Sequence, residues 1–398
     1  MERIGIYSGT FDPPHVGHFW GAQYACEVLN LDRLLMIPDF VMPHKQQSPG
    51  CASAQQRLRM VQLGLPTEGK LEASDLALRR EDTSYTWETV AQVRRDNPDA
   101  KLVLLMGADM LPNFPQWRES EAILKEAVLA VFRRGGKGED QILAQAKETI
   151  EAMGGRVILL ENPVLDISST QLRRMLVFRC ASDFLPPSVE SYLQMNGLYG
   201  TAKNYRHLPE DRLEQVVISL LKPDRVAHVL GCRQTAVELA KIYGVNETDA
   251  ARAALLHDVT KALDGPLQLT LCREYGTILD TFSQKNPKTL HALTGSLVAE
   301  RIFGENEAVV SAIRCHTTGK ADMNLLEKII YVADYMEPNR DFPGVEALRQ
   351  LAYQDITAAL KLGLEMTLAM LTEQGREISP ESAEALQYLK DTGAWAHR

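Results

Sequence analysis

Short apolar runs alternate with helix-length amphipathic segments as far as about residue 200 and then stop, and this change of pattern constrains the chain more than any other feature. Ile4–Tyr7 reads as a buried first strand, Leu31–Ile37 as a second and Leu71–Leu78 as a third. Leu102–Met106, Val128–Phe132 and Val157–Leu160 complete the set. Helices are expected over Phe19–Leu29, from a Ser53 cap to about Leu63, and over Thr86–Arg95. Alternation of this kind predicts a mainly parallel, doubly wound α/β sheet with helices on both faces. Its ligands would lie beyond the carboxyl ends of the strands.

After a polar stretch near residues 200–207 no strand signal follows. Helices are expected over Pro209–Leu221, Pro223–Tyr243, Thr248–Lys261, Pro287–Phe303, Glu307–His316, Leu325–Met336 and Val345–Leu371, with Gly or Pro recurring between them. The second half reads as a separate all-α domain. The expected boundary gives domains of 1–202 and 203–398, a comfortable division for 398 residues.

The first strand runs into Ser8-Gly-Thr-Phe-Asp-Pro-Pro-His-Val-Gly-His18. A tight loop between a strand and a helix start presents N–H groups and a positive dipole end to phosphate. Gly9 allows close backbone approach. His15 and His18, three apart, stand on one face of a first turn if the helix begins near Pro14, placed to donate to developing phosphoryl charge. Ile167-Ser-Ser-Thr-Gln-Leu-Arg173 repeats the arrangement at a later strand end, with Ser168 or Ser169 as the cap.

GTFDPPHVGH resembles the HxGH signature of nucleotidylyltransferases, and its longer wording resembles nicotinate-nucleotide adenylyltransferase. Ile167–Arg173 is similar to the ISSTxxR triphosphate signature. The resemblance spans about residues 2–200 and implies a Rossmann-like fold and Mg²⁺-assisted adenylyl transfer from ATP to nicotinate mononucleotide. It implies ATP contacts from Gly9, Thr10, Phe11, His15, His18, Ser168, Ser169, Thr170 and Arg173, with His15, His18 and Arg173 catalytic. Lys45 of Pro43-His44-Lys45 would face phosphate. Thr86 of Thr83-Ser-Tyr-Thr86, Asp109 and Trp117 would recognise the mononucleotide. Where that family usually has Arg-Pro-Gly, this chain has Arg133-Arg134-Gly135.

In the helical half, His228, His257-Asp258, His291, His316 and Asp334 fall on consecutive helices, each flanked by apolar residues. Imidazole with carboxylate suits Fe, Mn or Zn and metal-assisted hydrolysis. The order resembles HD hydrolases, and the HDVTK, HTTG and ADYMEPNR wording resembles the family that cleaves diadenosine tetraphosphate symmetrically. Thr260 replaces a commoner Ala. The resemblance implies iron (Fe²⁺/Fe³⁺) or Mn²⁺ held by His228, His257, Asp258 and Asp334. His291 and His316 would lie near a second metal or phosphate, and Lys261 and Arg340 would meet polyphosphate, Lys261 catalytically. Another signalling nucleotide as substrate, or a nucleotide sensor without turnover, stays open for this half.

A net charge of −9 argues against nucleic acid and anionic membranes as partners. The six cysteines include no CxxC pair and, with no signal peptide or membrane span evident, suggest a cytoplasmic protein. Self-association is left open.

Overall fold

A computed structural model describes residues 1–40, 51–80, 84–136, 138–165 and 167–393. The chain divides into two compact units, Met1–Lys203 and Asn204–Arg398.

The first unit contains a six-stranded parallel sheet of order β3-β2-β1-β4-β5-β6. The strands are β1 (Arg3–Gly9), β2 (Arg33–Pro38), β3 (Leu71–Ala73), β4 (Lys101–Gly107), β5 (Ala127–Phe132) and β6 (Val157–Leu160). Around it run α1 (Val16–Val28), α2 (Ala54–Gly64), α3 (Thr86–Asp96), α4 (Ser120–Glu126), α5 (Glu139–Ala152), α6 (Ser169–Val177) and α7 (Pro187–Met195). The pleat sends Leu35, Ile37, Leu102, Leu104 and Met106 into one core and Leu34, Met36, Val103 and Leu105 into the other. Both faces are therefore buried, as continuous apolar strands require. Strand order reverses between β1 and β4, so the loops after Gly9 and Gly107 flank the switch point where such sheets bind ligands.

The third strand is shorter than its apolar run suggested. Ser74 Oγ accepts from Leu76 N at 3.3 Å, and Asp75 O accepts from Leu78 N at 2.8 Å. These local bonds turn the chain at Ser74, and Leu78–Arg80 form a short 3₁₀ turn instead.

The second unit is helical: α8 (Glu210–Leu220), α9 (Val226–Tyr243), α10 (Glu247–Leu256), α11 (Gly265–Glu274), α12 (Thr281–Lys285), α13 (Leu290–Val298), α14 (Glu307–Cys315), α15 (Leu325–Met336), α16 (Val345–Ala352), α17 (Ile356–Glu373) and α18 (Pro380–Thr392). Two expected helices are cut. The one reaching Lys261 ends at Leu256, leaving His257–Lys261 as a turn. The long one from Val345 breaks at Asp355, whose Oδ1 accepts from Thr357 N and Ala358 N at 2.9 and 3.0 Å and caps α17. The sequence offered no expectation for α11, α12 and α18. Among the described residues no helix is long and apolar enough to cross a membrane.

Arg57 on α2 is 2% exposed and ties the first loop to the end of β2. Its Nη1 donates to Thr10 O at 2.7 Å and its Nη2 to Phe40 O at 3.1 Å. Arg57→Leu leaves both carbonyls without their donors and should destabilise the first unit by about 2–4 kcal/mol. Denaturant unfolding followed by hydrogen exchange of β1 and β2 reads the loss, and an unchanged midpoint contradicts this role.

Candidate functional sites

The first site is built where β1 gives way to α1. His15 occupies the N-cap position in extended backbone (φ −135°, ψ 168°), and α1 begins at Val16 rather than near Pro14. His18 therefore lies in the first turn beside the cap, and the two rings are 3.7 Å apart between centroids. The backbone N–H of His15 donates to His18 Nδ1 at 3.1 Å. That bond makes Nδ1 the acceptor and leaves the proton of the neutral ring on Nε2. His15 Nδ1 is buried and meets no partner. Burial, aided by the Arg134 charge, pushes the His15 imidazole down to about 3. Burial, His15 and Arg134 also lower His18 well below the usual imidazole range. Both rings are neutral near pH 7.

Gly17 explains itself here, since a Cβ on it would stand 3.1 Å from His15 Nδ1 and 3.3 Å from Leu165. Its lack of a side chain gives the His15 ring and Leu165 room to pack over it. Phe11 is 3% exposed and packs against Tyr7 and His18 at centroid distances of 5.3 and 5.1 Å, so its ring supports the loop from beneath.

The second phosphate-type segment clasps the first. Ser168 caps α6, its Oγ accepting from Gln171 N at 3.2 Å, while Gln171 Oε1 accepts from Ser168 N. Ser169 Oγ donates to Pro13 O at 3.0 Å, and Arg173 Nη1 donates to Asp12 O at 2.6 Å. Arg173 Nη2 also donates to Thr170 Oγ1 at 3.1 Å. Gly9, Thr10, His15, His18 and the start of α6 thus share one region. Asp12 stood in the sequence only as the residue before Pro13, biased away from helix, with no side-chain role. Its Oδ1 accepts from Tyr199 OH at 2.5 Å and from Ala52 N at 3.2 Å, and Arg173 lies 3.7 Å from its Oδ2. No periodicity could have revealed a contact spanning that much sequence.

Asp109 follows β4 and lies 3.3 Å from Arg134 Nε. Arg134 also acts electrostatically on both histidines and Tyr7, so the ends of β1, β4 and β5 share a field. Glu139 accepts from the N–H groups of Arg134 and Gly135 at 2.9 and 3.0 Å, which orders the loop that departs from Arg-Pro-Gly. Trp117 is half-buried against Phe114, and Thr86 opens α3. Lys45 and Thr83 fall outside the described residues.

The second site lies among α9, α10, α13, α14 and α15. His228 Nε2 is 3.3 Å from His257 Nε2 and 3.2 Å from Asp334 Oδ1. Asp258 Oδ2 faces the same two nitrogens at 3.7 and 3.6 Å. The ligand atoms of His228, His257 and Asp334 fall within 4.8 Å of one another, as do those of His257, Asp258 and His316. His316, expected near a second metal or phosphate, lies in this second group.

The tautomers follow from the outer bonds. His257, His291 and His316 each place Nδ1 against the carbonyl three residues earlier, at 2.6 Å (Ala254), 2.9 Å (Lys288) and 2.7 Å (Ile313). His228 Nδ1 meets Glu337 Oε1 at 3.1 Å. A carbonyl cannot donate, so His257, His291 and His316 carry their protons on Nδ1 and the Nε2 of each neutral ring points a lone pair inward, while the Glu337 carboxylate draws a His228 proton to Nδ1. Burial lowers the imidazole of His257, and it pushes His291 and His316 down to about 4 and 3. Burial opposes the charge on Asp258, yet its carboxyl lies below the usual range, with the Lys261 ammonium 3.4 Å from Oδ1. His228, His257, Asp258 and Asp334 thus crowd acceptors into one buried spot. Asp258 Oδ1 is itself buried without a hydrogen bond. Such a donor set fits a divalent transition metal, which needs neutral imidazole and ionised carboxylate.

Charged groups rim this cluster. Lys261 Nζ lies 2.8 Å from His291 Nε2 and 3.4 Å from Asp258 Oδ1. Arg340 Nη2 donates to Asp334 Oδ1 at 2.7 Å, and Arg225 pairs with Asp258 Oδ2. Thr317 Oγ1 stands 3.1 Å from both His291 Nε2 and His316 Nε2. Glu337, Arg225 and Thr317 carry parts of the site that residue type alone did not reveal. Thr260 joins Thr294 and the carbonyl of His291 at 2.8 and 3.1 Å, tying the His-Asp turn to α13.

Residues 6–175 match a family model described as cytidylyltransferase-like, and residues 225–339 match the HD domain model. A probable nicotinate-nucleotide adenylyltransferase of Clostridium tetani is 34% identical over 201 residues, 50% of this chain and 100% of that relative. A symmetrical bis(5'-nucleosyl)-tetraphosphatase of Halalkalibacterium halodurans is 41% identical over 169 residues, 42% of this chain and 90% of that one. Among solved structures, a predicted HD superfamily hydrolase involved in NAD metabolism from Clostridium acetobutylicum aligns at 36% identity. It covers 46% of this chain and 98% of its own, with a TM-score of 0.45.

The neutral pair at the first site makes a pH prediction. An unfolded imidazole takes up its proton near pH 6.5, whereas native His15 does so only near 3. The unfolded chain then binds more protons as pH falls from about 6.5 towards 3, so this contribution to stability is complete above 6.5 and lost on acidification. His15→Gln should flatten that fall, read from denaturant midpoints between pH 7 and 4. Titration of native His15 near pH 6.5 by NMR contradicts the burial argument.

Proposed function

We propose, for a chain that belongs to the cytidylyltransferase-like family in its first half and to the HD domain family in its second, two separate reactions on nucleotide polyphosphates. The first is adenylyl transfer from ATP to nicotinate mononucleotide, giving deamido-NAD and pyrophosphate. A phosphate oxygen of the mononucleotide attacks the α-phosphorus of ATP, and the bond to the pyrophosphate oxygen breaks. The protein forms no covalent intermediate; its residues position groups and stabilise charge. Neutral His18, with its proton on Nε2, donates to a phosphoryl oxygen, and His15 lies beside it. Arg173, Ser168, Ser169 and Thr170 receive the β/γ end at the start of α6, and Mg²⁺ arrives with the triphosphate as part of the substrate. Gly9, Thr10 and Phe11 shape the loop around ATP. Asp109, Trp117, Thr86 and Lys45 are assigned to the mononucleotide. The observation that carries this reading is the clasp of Ser169 on Pro13 and Arg173 on Asp12, which joins the two anion-binding helix starts.

The second reaction is hydrolysis of diadenosine tetraphosphate to two ADP in the HD unit. Water adds to an inner phosphorus, and the central P–O–P bridge breaks. His228, His257, Asp258 and Asp334 would hold iron or manganese, with His316 adjoining them. When bound, such a metal supplies Lewis acidity that polarises a phosphoryl oxygen and activates water. Lys261 donates to the polyphosphate as its charge shifts, and His291 and Arg340 line the same approach. Inward-facing lone pairs beside two ionised carboxylates carry this reading. The reading places the protein in the cytoplasm.

His18→Ala should cut adenylyl transfer by about 10²–10³, the size expected for one lost oxyanion donor, and leave tetraphosphate hydrolysis near wild type. His257→Ala should remove metal and hydrolysis together while adenylyl transfer persists. Loss of both activities in either variant contradicts two separate sites, and full metal occupancy in His257→Ala removes that residue from the ligand set.

A further inference from the structure

We infer that Glu337 is a positioning residue that selects the tautomer of His228, and through it the metal affinity of the second site; this rests on the metal-dependent reading of that site. Glu337 follows α15, three residues beyond Asp334, and is 1% exposed. Its two oxygens have separate partners. Oε1 accepts from His228 Nδ1 at 3.1 Å, while Oε2 accepts from Asn339 N at 2.7 Å and Asn339 Nδ2 at 2.8 Å. Asn339 Nδ2 also donates to Ala227 O at 3.1 Å, beside His228 in sequence. Arg349 anchors the turn from the other side, with Nη2 donating to Glu337 O and Arg340 O at 2.8 Å each.

Room for this carboxylate depends on Gly231, one turn along α9, because a Cβ there would collide with Glu337 Oε2. Glycine within a helix is unfavourable relative to alanine, and here its missing side chain is what admits the acid. His228 differs from its three companions, whose Nδ1 protons go to their own helix backbones. Those tautomers survive any side-chain change nearby. On His228, Glu337 draws the proton to Nδ1 while Asp334 Oδ1, 3.2 Å from Nε2, competes for it on the inner side.

Glutamine at this position makes the test sharp. An amide has one acceptor oxygen, and both N–H groups of Asn339 claim it. The amide NH₂ then faces His228 Nδ1, which must accept, so the ring proton moves to Nε2 and the inward lone pair is lost. Glu337→Gln is nearly isosteric and should keep the fold. We expect about 10–100-fold weaker metal binding, the usual scale for such outer partners. It is measured by chelator competition with Mn²⁺ on the full chain. In the metal-free protein, ¹⁵N NMR should show His228 switched to the Nε2–H form while His257 and His316 remain Nδ1–H. Glu337→Ala serves as the second variant and should weaken Mn²⁺ binding without imposing the inverted tautomer. A His228 that stays Nδ1–H in Glu337→Gln, or Mn²⁺ affinity within twofold of wild type in both variants, overturns the assignment. If the wild-type chain itself takes up no Mn²⁺ or Fe²⁺, the metal-dependent reading fails instead, and the NMR result still decides whether Glu337 sets the tautomer.

Discussion

Neutral imidazole, enforced by burial, is the condition on which both sites depend. A charged His15 beside His18 and Arg134 would add a second cation to a small space, and the 3.7 Å approach of the two rings could not persist. In the helical unit the same neutrality has another consequence. Because the Nδ1 protons of His257 and His316 are spent on backbone carbonyls, their inner nitrogens can only accept, and Asp258 and Asp334 add negative charge beside them. The Nε2 atoms of His228 and His257 stand 3.3 Å apart beside these carboxylates, a grouping that calls for positive charge. Lys261, Arg225 and Arg340 partly meet that need from the rim, and a bound metal ion would meet it at the centre.

The first unit solves a different problem, that of holding the starts of α1 and α6 at a fixed separation. Its loops could drift, since each follows a different strand. Asp12 prevents this by taking Tyr199 and Ala52 on its side chain and Arg173 on its carbonyl. Arg57 adds the grip of α2 on the first loop and the end of β2. One buried acid and one buried base therefore fix the loops at the carboxyl end of the parallel sheet.

Much of this was legible in the residues. Apolar runs gave the parallel sheet because strands buried on both faces must be continuously apolar, and Ile4, Ile6, Leu34 and Met36 are all fully buried. Helix starts at Ser53 and at Ser168 or Ser169 were readable from capping chemistry, which acts locally, and the structure uses Ser168 for the second. Where long apolar patterns ran on, local polar bonds at Ser74 and Asp355 ended the elements earlier, and periodicity does not register such competition. The histidines and aspartates of the second unit stood out by type. Glu337 and Asp12 did not, because an acid in a turn is ordinary until its distant partner is known. Gly17 and Gly231 are similar: their meaning lies in what an added Cβ would strike.

The central claim is that two sites of unlike construction act on nucleotide polyphosphates, one by holding charge and one through a metal centre. The second site is where the claim is most exposed. The most direct measurement is to incubate the full chain with diadenosine tetraphosphate and Fe²⁺ or Mn²⁺, then separate the products by chromatography. The account predicts ADP alone, from cleavage of the central bridge. ATP with AMP, or no turnover with either metal, contradicts it.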